Sequence, residues 1–168
     1  MDNRERFEAL FRDQYPGLVR ELRLVLRDPA GAEEAAAEAF VVAWGSWAEV
    51  VALDKPGAWI RMVAIRHASR QRWRLGRRAA IEATHGPKPV FDEGIDLDLV
   101  AALQRLTDAQ RTAVVLHHLG GWSTEDVGTI LGCPEATVRS HLRRGRLRLA
   151  GLLRTPDDEM EVSDARPR

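Results

Sequence analysis

The sequence predicts an all-α protein of two small helical domains joined by a flexible linker. Three observations carry this expectation. No segment alternates apolar and polar residues with the period of two that a half-buried strand needs, whereas apolar residues recur at helical spacing almost throughout. The stretch from Gly76 to Gly94 breaks that pattern with Gly76, Gly86, Pro87, Pro89 and Gly94; about 20 residues without periodic apolar positions is too long for a connection inside one compact domain. A length of 168 residues with 45% hydrophobic content suits one ordinary domain or two small ones.

Phe7, Leu10 and Phe11 begin a first helix, and Pro16 is expected to open a second with Leu18, Leu22, Val25 and Leu26 as its apolar stripe. Asp28-Pro29 ends it. A third helix is expected from about Ala30 to Trp47, with Ala36, Phe40, Ala43, Trp44 and Trp47 on its core face. Its other face carries Glu34, Ala35, Glu38 and Val42, an acidic and apolar surface that is either a protein-docking face or merely solvated. A fourth helix runs from about Gly57, after Pro56, to Trp73 or slightly beyond, with Trp59, Ile60, Val63 and His67 sharing a face. These helices make a first domain over residues 1–75, followed by a linker over 76–95.

Helical pattern resumes near Asp96 with Val100, Leu103 and Leu106. Thr107 and Gln110 have capping-box spacing and start a helix that reaches about Leu119, ended by Gly120-Gly121. Residues 119–149 then read as a helix-turn-helix. Ser123 caps its first helix, with Glu125 and Asp126 in the first turn. Gly128 lets the second helix approach, Gly132 permits the left-handed residue that ends the first helix, and Val138 fills the angle between them. Pro134 suits the first position of the second helix. That helix carries Arg139, Arg143, Arg144, Arg146 and Arg148 against one acid, Glu135. Val138, Leu142, Gly145, Leu149 and Leu152 form its core stripe; Thr137, Ser140, Arg143 and Arg144 lie opposite, with Arg139 and Arg146 on a flank. A basic helix of this kind fits a major groove, its opposite face meeting base edges and its flanks phosphates, although a solvated charged helix has the same composition. The second domain spans 96–154, and the polar, acidic segment 155–168 reads as a disordered tail.

Formal net charge is zero, with 25 basic and 25 acidic residues, but the charges are segregated. Arg61, Arg66, Arg70, Arg72, Arg74, Arg77 and Arg78 follow one another without an acid, while Asp92, Glu93, Asp96 and Asp98 follow without a base. Two basic blocks set apart by acidic stretches suit contact with a polyanion at two places. Trp73 among these arginines suits stacking on an unpaired base or, equally, packing at a domain edge. One cysteine, Cys133, excludes a disulfide within the chain, and the scattered histidines make no metal site. No apolar run is long enough to span a membrane and no signal peptide is recognisable, so a cytoplasmic protein is expected. There is no P-loop, G-x-S-x-G or H-E-x-x-H sequence, hence no expectation of an enzyme or a cofactor.

Phe7-Glu-Ala-Leu-Phe11, Tyr15-Pro-Gly-Leu-Val19, the run from Asp28-Pro-Ala-Gly to Phe40 and Trp44, and Pro56-Gly-Ala-Trp-Ile60 with Val63-Ala-Ile-Arg66 resemble bacterial RNA polymerase sigma factors of the extracytoplasmic-function (ECF) group. Leu106-Thr-Asp-Ala-Gln-Arg111, Gly121-Trp-Ser-Thr-Glu-Asp-Val127, Leu131-Gly132, Thr137-Val138-Arg139-Ser140 and Arg144-Gly145-Arg146 resemble the C-terminal domain of that group more specifically. The resemblance covers about Phe7 to Leu153. It implies a region 2-like first domain that binds core RNA polymerase through the third helix (Glu34, Glu38, Val42) and opens the −10 element with Arg61, Arg66, His67, Arg70, Trp73 and Arg74. The loop between Trp47 and Pro56 would hold a flipped base. The second domain would be region 4-like, reading promoter DNA at the −35 element through Glu135, Thr137, Arg139, Ser140, Arg143 and Arg144. An anti-sigma factor is an implied partner. The chain departs from the family pattern at Ala35 and Ala37, where leucine and glutamine are usual, and at His67 and Arg70, where asparagine and aspartate are usual. Two other readings use fewer of these features: a stand-alone helix-turn-helix regulator with a degenerate first domain, and a pure protein-interaction module. The basic, tryptophan-bearing fourth helix favours the sigma factor, because a regulator needs no strand-opening surface.

Overall fold

The computed structural model describes residues 2–26, 28–82 and 96–153, with the backbone alone for residues 29 and 70–82. Every regular element among them is helical: α1 (Asn3–Leu26), α2 (Pro29–Gly45), α3 (Trp47–Val50), α4 (Pro56–Glu82), α5 (Leu97–Gln104), α6 (Asp108–Val114), α7 (Thr124–Leu131) and α8 (Glu135–Leu152), with a π-turn, Val115–Leu119, after α6.

In the first half, α2 lies between α1 and α4. Its alanines Ala32, Ala35, Ala36, Ala39 and Ala43 are all buried, so two helices approach it closely. Burial on two sides also corrects the expected faces. Ala35, assigned to the exposed side, is 2% exposed, and Trp44, assigned to the core, is 50% exposed. Phe7 meets Phe40, Trp44 and Trp47 edge-on, at centroid separations of 6.1, 4.8 and 5.2 Å, and Phe11 stacks on Tyr15. Pro16 does not start a helix, as expected from sequence, but sits inside a continuous α1. Its position is exposed, where water can serve the carbonyl that loses its amide partner. α4 also outruns its expected end, continuing to Glu82 through the first residues assigned to the linker. Residues 83–95, the rest of that linker, and the whole of the tail predicted over 155–168 lie outside the described residues.

In the second half the Thr107–Gln110 capping box forms with both reciprocal bonds, 3.3 and 3.4 Å long. Asp96 caps α5 by accepting from the Asp98 amide at 2.8 Å. The helix begun at Asp108 ends in the π-turn, where Gly120 N donates to Val115 O. Leu152, expected on the α8 core stripe, is 41% exposed; the stripe closes one turn earlier, with Val138, Leu142 and Gly145 buried and Leu149 partly buried against the core.

The halves are not held apart by their connection. They share a continuous apolar core and a set of polar contacts. Arg61 of α4 is 4% exposed and pairs with Glu21 of α1 through Nε and Nη2, at 2.7 and 2.9 Å. Its Nη1 donates to Gln14 and to the Gly57 carbonyl. Trp122 of the second half covers this guanidinium, 4.5 Å from ring centroid to Cζ. Arg111 of α6 is fully buried and donates through Nε to Val25 O, at the end of α1, at 2.8 Å, while Nη1 donates to Leu106 O. Lys55 Nζ donates to both carboxylate oxygens of Asp126 at 2.8 Å. Burial raises the Asp126 carboxyl, but hydrogen bonds from Lys55 and Ser123 outweigh it and hold the group below the usual carboxylate range; the same bond raises Lys55.

A buried ion pair gains less than its geometry implies, because both charges leave water, yet removing one partner strands the other. Glu21→Leu is therefore expected to cost about 3–5 kcal/mol in urea unfolding, and Glu21→Leu combined with Arg61→Met markedly less than the sum of the single changes. The Lys55–Asp126 contact sets a pH window. A depressed Asp126 contributes stability that is present above its ordinary 3.8 and lost as pH falls through its lower folded value. A raised Lys55 contributes below its ordinary 10.5 and loses this as pH rises through its folded value. The stability difference between wild type and Lys55→Met is expected to be level between those limits and to shrink beyond each, as read by thermal unfolding across a pH series.

Candidate nucleic-acid interface

The helix-turn-helix is α7, a tight turn and α8. Ser123 Oγ accepts from the Asp126 amide at 3.1 Å, closing the first turn of α7. Gly132 ends that helix at φ 68°, in the left-handed region where a side chain is strained. At Gly128 an added Cβ would stand 2.8 Å from the Cys133 carbonyl oxygen, so the turn folds back onto α7 only over a residue without a side chain. Val138 is fully buried in the angle. Pro134 stands one position before α8, as its N-cap, and Glu135 begins the helix. The Glu135 carboxylate accepts from Thr124 Oγ1 at 2.6 Å and from Arg139 at 2.8 Å, tying the starts of the two helices together.

With Val138, Leu142 and Gly145 turned inward, α8 presents Arg139, Arg143, Arg144, Arg146 and Arg148 at the surface. Thr137 and Ser140 are half-buried beside them, and Leu147 is 63% exposed. His118, at the surface, is held below the usual histidine range by partial desolvation and by the nearby charges of His117 and Arg146. His117 Nδ1 donates to the Trp122 carbonyl at 2.7 Å, which fixes the third residue after the π-turn.

The second basic helix, α4, is placed differently. Arg61 is not a surface residue: its charge is committed to Glu21 beneath Trp122. Arg66 is exposed, and its Nη2 comes within 3.8 Å of where a Gly132 Cβ would stand. His67 is half-buried. Arg70, Trp73 and Arg74 are on the helical backbone of α4, and their side chains lie outside the described ones. On α2, Glu34, Glu38 and Val42 are exposed, and so are Val41 and Trp44. Ala37, Phe40, Val41 and Trp44 line a groove of about 580 Å³ against Phe7, Phe11 and Tyr15 of α1.

Trp122, Glu21 and Arg111 escaped the sequence reading. An acid between Leu18 and Leu22 on a buried stripe was a visible signal for Glu21; nothing local indicated that Trp122 would reach α4. No group of His, Cys, Asp and Glu among the described residues could hold a metal ion, and no described helix is long and apolar enough to cross a membrane.

Residues 96–149 match the family described as sigma-70, region 4. Over 158 residues the chain is 31% identical to the ECF RNA polymerase sigma factor SigM of Mycobacterium tuberculosis, covering 90% of this chain and 79% of that protein. It is 28% identical to the RNA polymerase sigma-E factor of Streptomyces coelicolor, over 85% of this chain and 83% of the relative. Among solved structures, the sigma factor RpoE in complex with the anti-sigma factor NepR from Bartonella quintana superposes with a TM-score of 0.78 at 25% identity, covering 90% of this chain and 99% of that one. CnrH in complex with the cytosolic domain of CnrY shares the fold, with a TM-score of 0.64. The sequence match, which runs through both halves, and the superposition over nearly the whole of the solved relative agree: this chain belongs to the ECF family of RNA polymerase sigma factors.

Proposed function

We propose that the chain is an alternative sigma factor that binds core RNA polymerase in the cytoplasm and directs it to promoters, with the polymerase supplying all the chemistry. The observation that carries the DNA half of this reading is the arginine-rich exposed side of α8, set on a capped, tightly turned helix-turn-helix. α8 enters the major groove of the −35 element. Thr137, Ser140, Arg143 and Arg144 reach base edges, Arg139 and Arg146 reach phosphates, and Glu135 orients Arg139 through their 2.8 Å ion pair. Opening of the −10 element falls to α4, with Arg66, His67, Arg70, Trp73 and Arg74 as the contacting set and the turn between α3 and α4 as the pocket for an extruded base. Arg61, buried against Glu21, acts by holding α4 on α1 rather than by meeting DNA. Core polymerase docks on α2, where Glu34 and Glu38 rim the exposed Val41, Val42 and Trp44. An acidic-rimmed apolar strip suits a helical partner with basic flanks. An anti-sigma factor completes the partner set, by analogy with the solved relative RpoE, captured with the anti-sigma factor NepR.

The deciding experiment is gel filtration of the full chain with core RNA polymerase freed of sigma. Co-elution at one-to-one stoichiometry, reversed by a competing sigma factor, is the expected result; a folded chain that fails to bind vacant core at micromolar concentration supports the stand-alone regulator instead.

Arg143→Ala is expected to cost about 1–3 kcal/mol of −35 discrimination if its guanidinium makes a bidentate base contact. Arg146→Ala should weaken binding evenly over all sequences and lower the salt slope by about one. Competition titrations over a set of base-substituted −35 duplexes separate the two. Trp73→Ala should slow opening while leaving −35 duplex binding intact, read by permanganate reactivity of unpaired thymines; equal loss of both would mark Trp73 as structural.

A further inference from the structure

α8 displays more positive charge than the fold uses. Its arginines, Arg139, Arg143, Arg144, Arg146 and Arg148, are all exposed, and among the described residues only Arg139 has a carboxylate partner, Glu135. Leu147, 63% exposed, stands one turn from Arg143 and Arg144, an apolar spot on a basic surface. The chain carries a counterpart to this face. Beyond α8, Asp157, Asp158, Glu159, Glu161 and Asp164 follow one another without a base, with Met160 and Val162 among them.

We infer that the acidic segment 157–164 docks on the exposed side of α8, with its carboxylates on the arginines and its apolar pair against Leu147, and competes there with DNA phosphates. The inference rests on the assignment of α8 to DNA binding made above. A carboxylate on a guanidinium takes the place a phosphate oxygen would fill, so docking of the tail and engagement of DNA by the same arginines exclude each other.

Reach selects this occupant as firmly as charge does. α8 ends at Leu152, and Leu153 caps it. Measured back along the helix from Leu153, Arg148, Arg144 and Arg139 lie at about 8, 14 and 21 Å. A chain that folds back covers up to about 3.5 Å per residue, so Asp157 reaches about 14 Å and Asp164 about 38 Å. Every arginine from Arg148 to Arg139 is within range of an acid of the segment, with no movement of α8. Exposed ion pairs are weak singly and screened by salt. The short tether compensates, because it holds the carboxylates at an effective concentration on the order of millimolar. The contact is therefore exchangeable: a tail bound about two-thirds of the time leaves a third of the molecules competent and raises the apparent Kd for DNA about threefold.

The test uses the full chain with Cys133→Ser and a nitroxide on a cysteine introduced at Ser163. Amide signals of α8 from Arg139 to Arg148 should broaden at about 50 mM salt and recover at about 500 mM. They should also recover when the tail is neutralised by Asp157→Asn, Asp158→Asn, Glu159→Gln, Glu161→Gln and Asp164→Asn together. Without the nitroxide, the neutral tail should bind a fluorescein-labelled duplex of about 20 base pairs and arbitrary sequence about threefold more tightly or better, and the gain should shrink as salt rises. Broadening that is absent from α8, or spread evenly over the chain, overturns the proposal. Tighter duplex binding without broadening of α8 reports net charge alone and overturns it too. So does a gain obtained from Asp92→Asn with Glu93→Gln but not from the neutral tail, which would make the connection between the halves the occupant. Broadening of α8 with no gain in duplex binding overturns the competition, provided that Arg143→Ala with Arg144→Ala weakens that binding. Where those two changes leave duplex binding untouched, the assignment of α8 to DNA has failed, and the docking of the tail is decided by the broadening alone, which needs neither DNA nor polymerase.

Discussion

The arrangement of the molecule depends on one buried guanidinium. Arg61 joins α4 to α1 through Glu21 and provides the cationic face on which Trp122 lies, so a single side chain holds the first half together and receives the second. Taking both charges of the pair out of water is unfavourable, and the cost is met only because the guanidinium's donors are used on Glu21, Gln14 and Gly57. A hydrocarbon at position 61 would pack as well and recruit nothing. The pair thus fixes which face of α4 looks inward and, by subtraction, which part of the basic block is left for other work.

Arg111 solves the matching problem from the other side. The last carbonyls of α1 have no partner within the helix, and the chain breaks at Asp28-Pro29 before another turn can supply one. A side chain from α6, distant in sequence, donates to Val25 instead. The end of the first long helix is therefore finished by the second half.

Much of this was legible in the sequence because it is local. The capping box at Thr107 and Gln110, the left-handed residue at Gly132, the Ser123 cap and the inward Val138 are each decided within a few residues, and the structure has them all. The expectations that changed depended on neighbours a helical wheel does not include. Ala35 is buried and Trp44 exposed because α2 is flanked by two helices. Pro16 is tolerated because it faces water. Arg61 sits in a row of arginines that reads as a polyanion surface, but its partner is 40 residues earlier and its cover 61 residues later, at Glu21 and Trp122. The site residues on α8 could be placed by spacing alone, whereas those on α4 could be placed on the helix but not on a face.

The length of α4 has a mechanical consequence. At 1.5 Å of rise per residue its 27 residues form a rod about 40 Å long. Among its described side chains, the contacts that fix its direction lie in its first half, from Lys55, just before it, to Ala68. It works as a lever with its fulcrum near one end: a tilt of about 10° at Arg61 carries Glu82 through roughly 5 Å. A rearrangement at the buried pair too small to disturb the core is thus delivered, enlarged, to the point where the connection between the two halves begins.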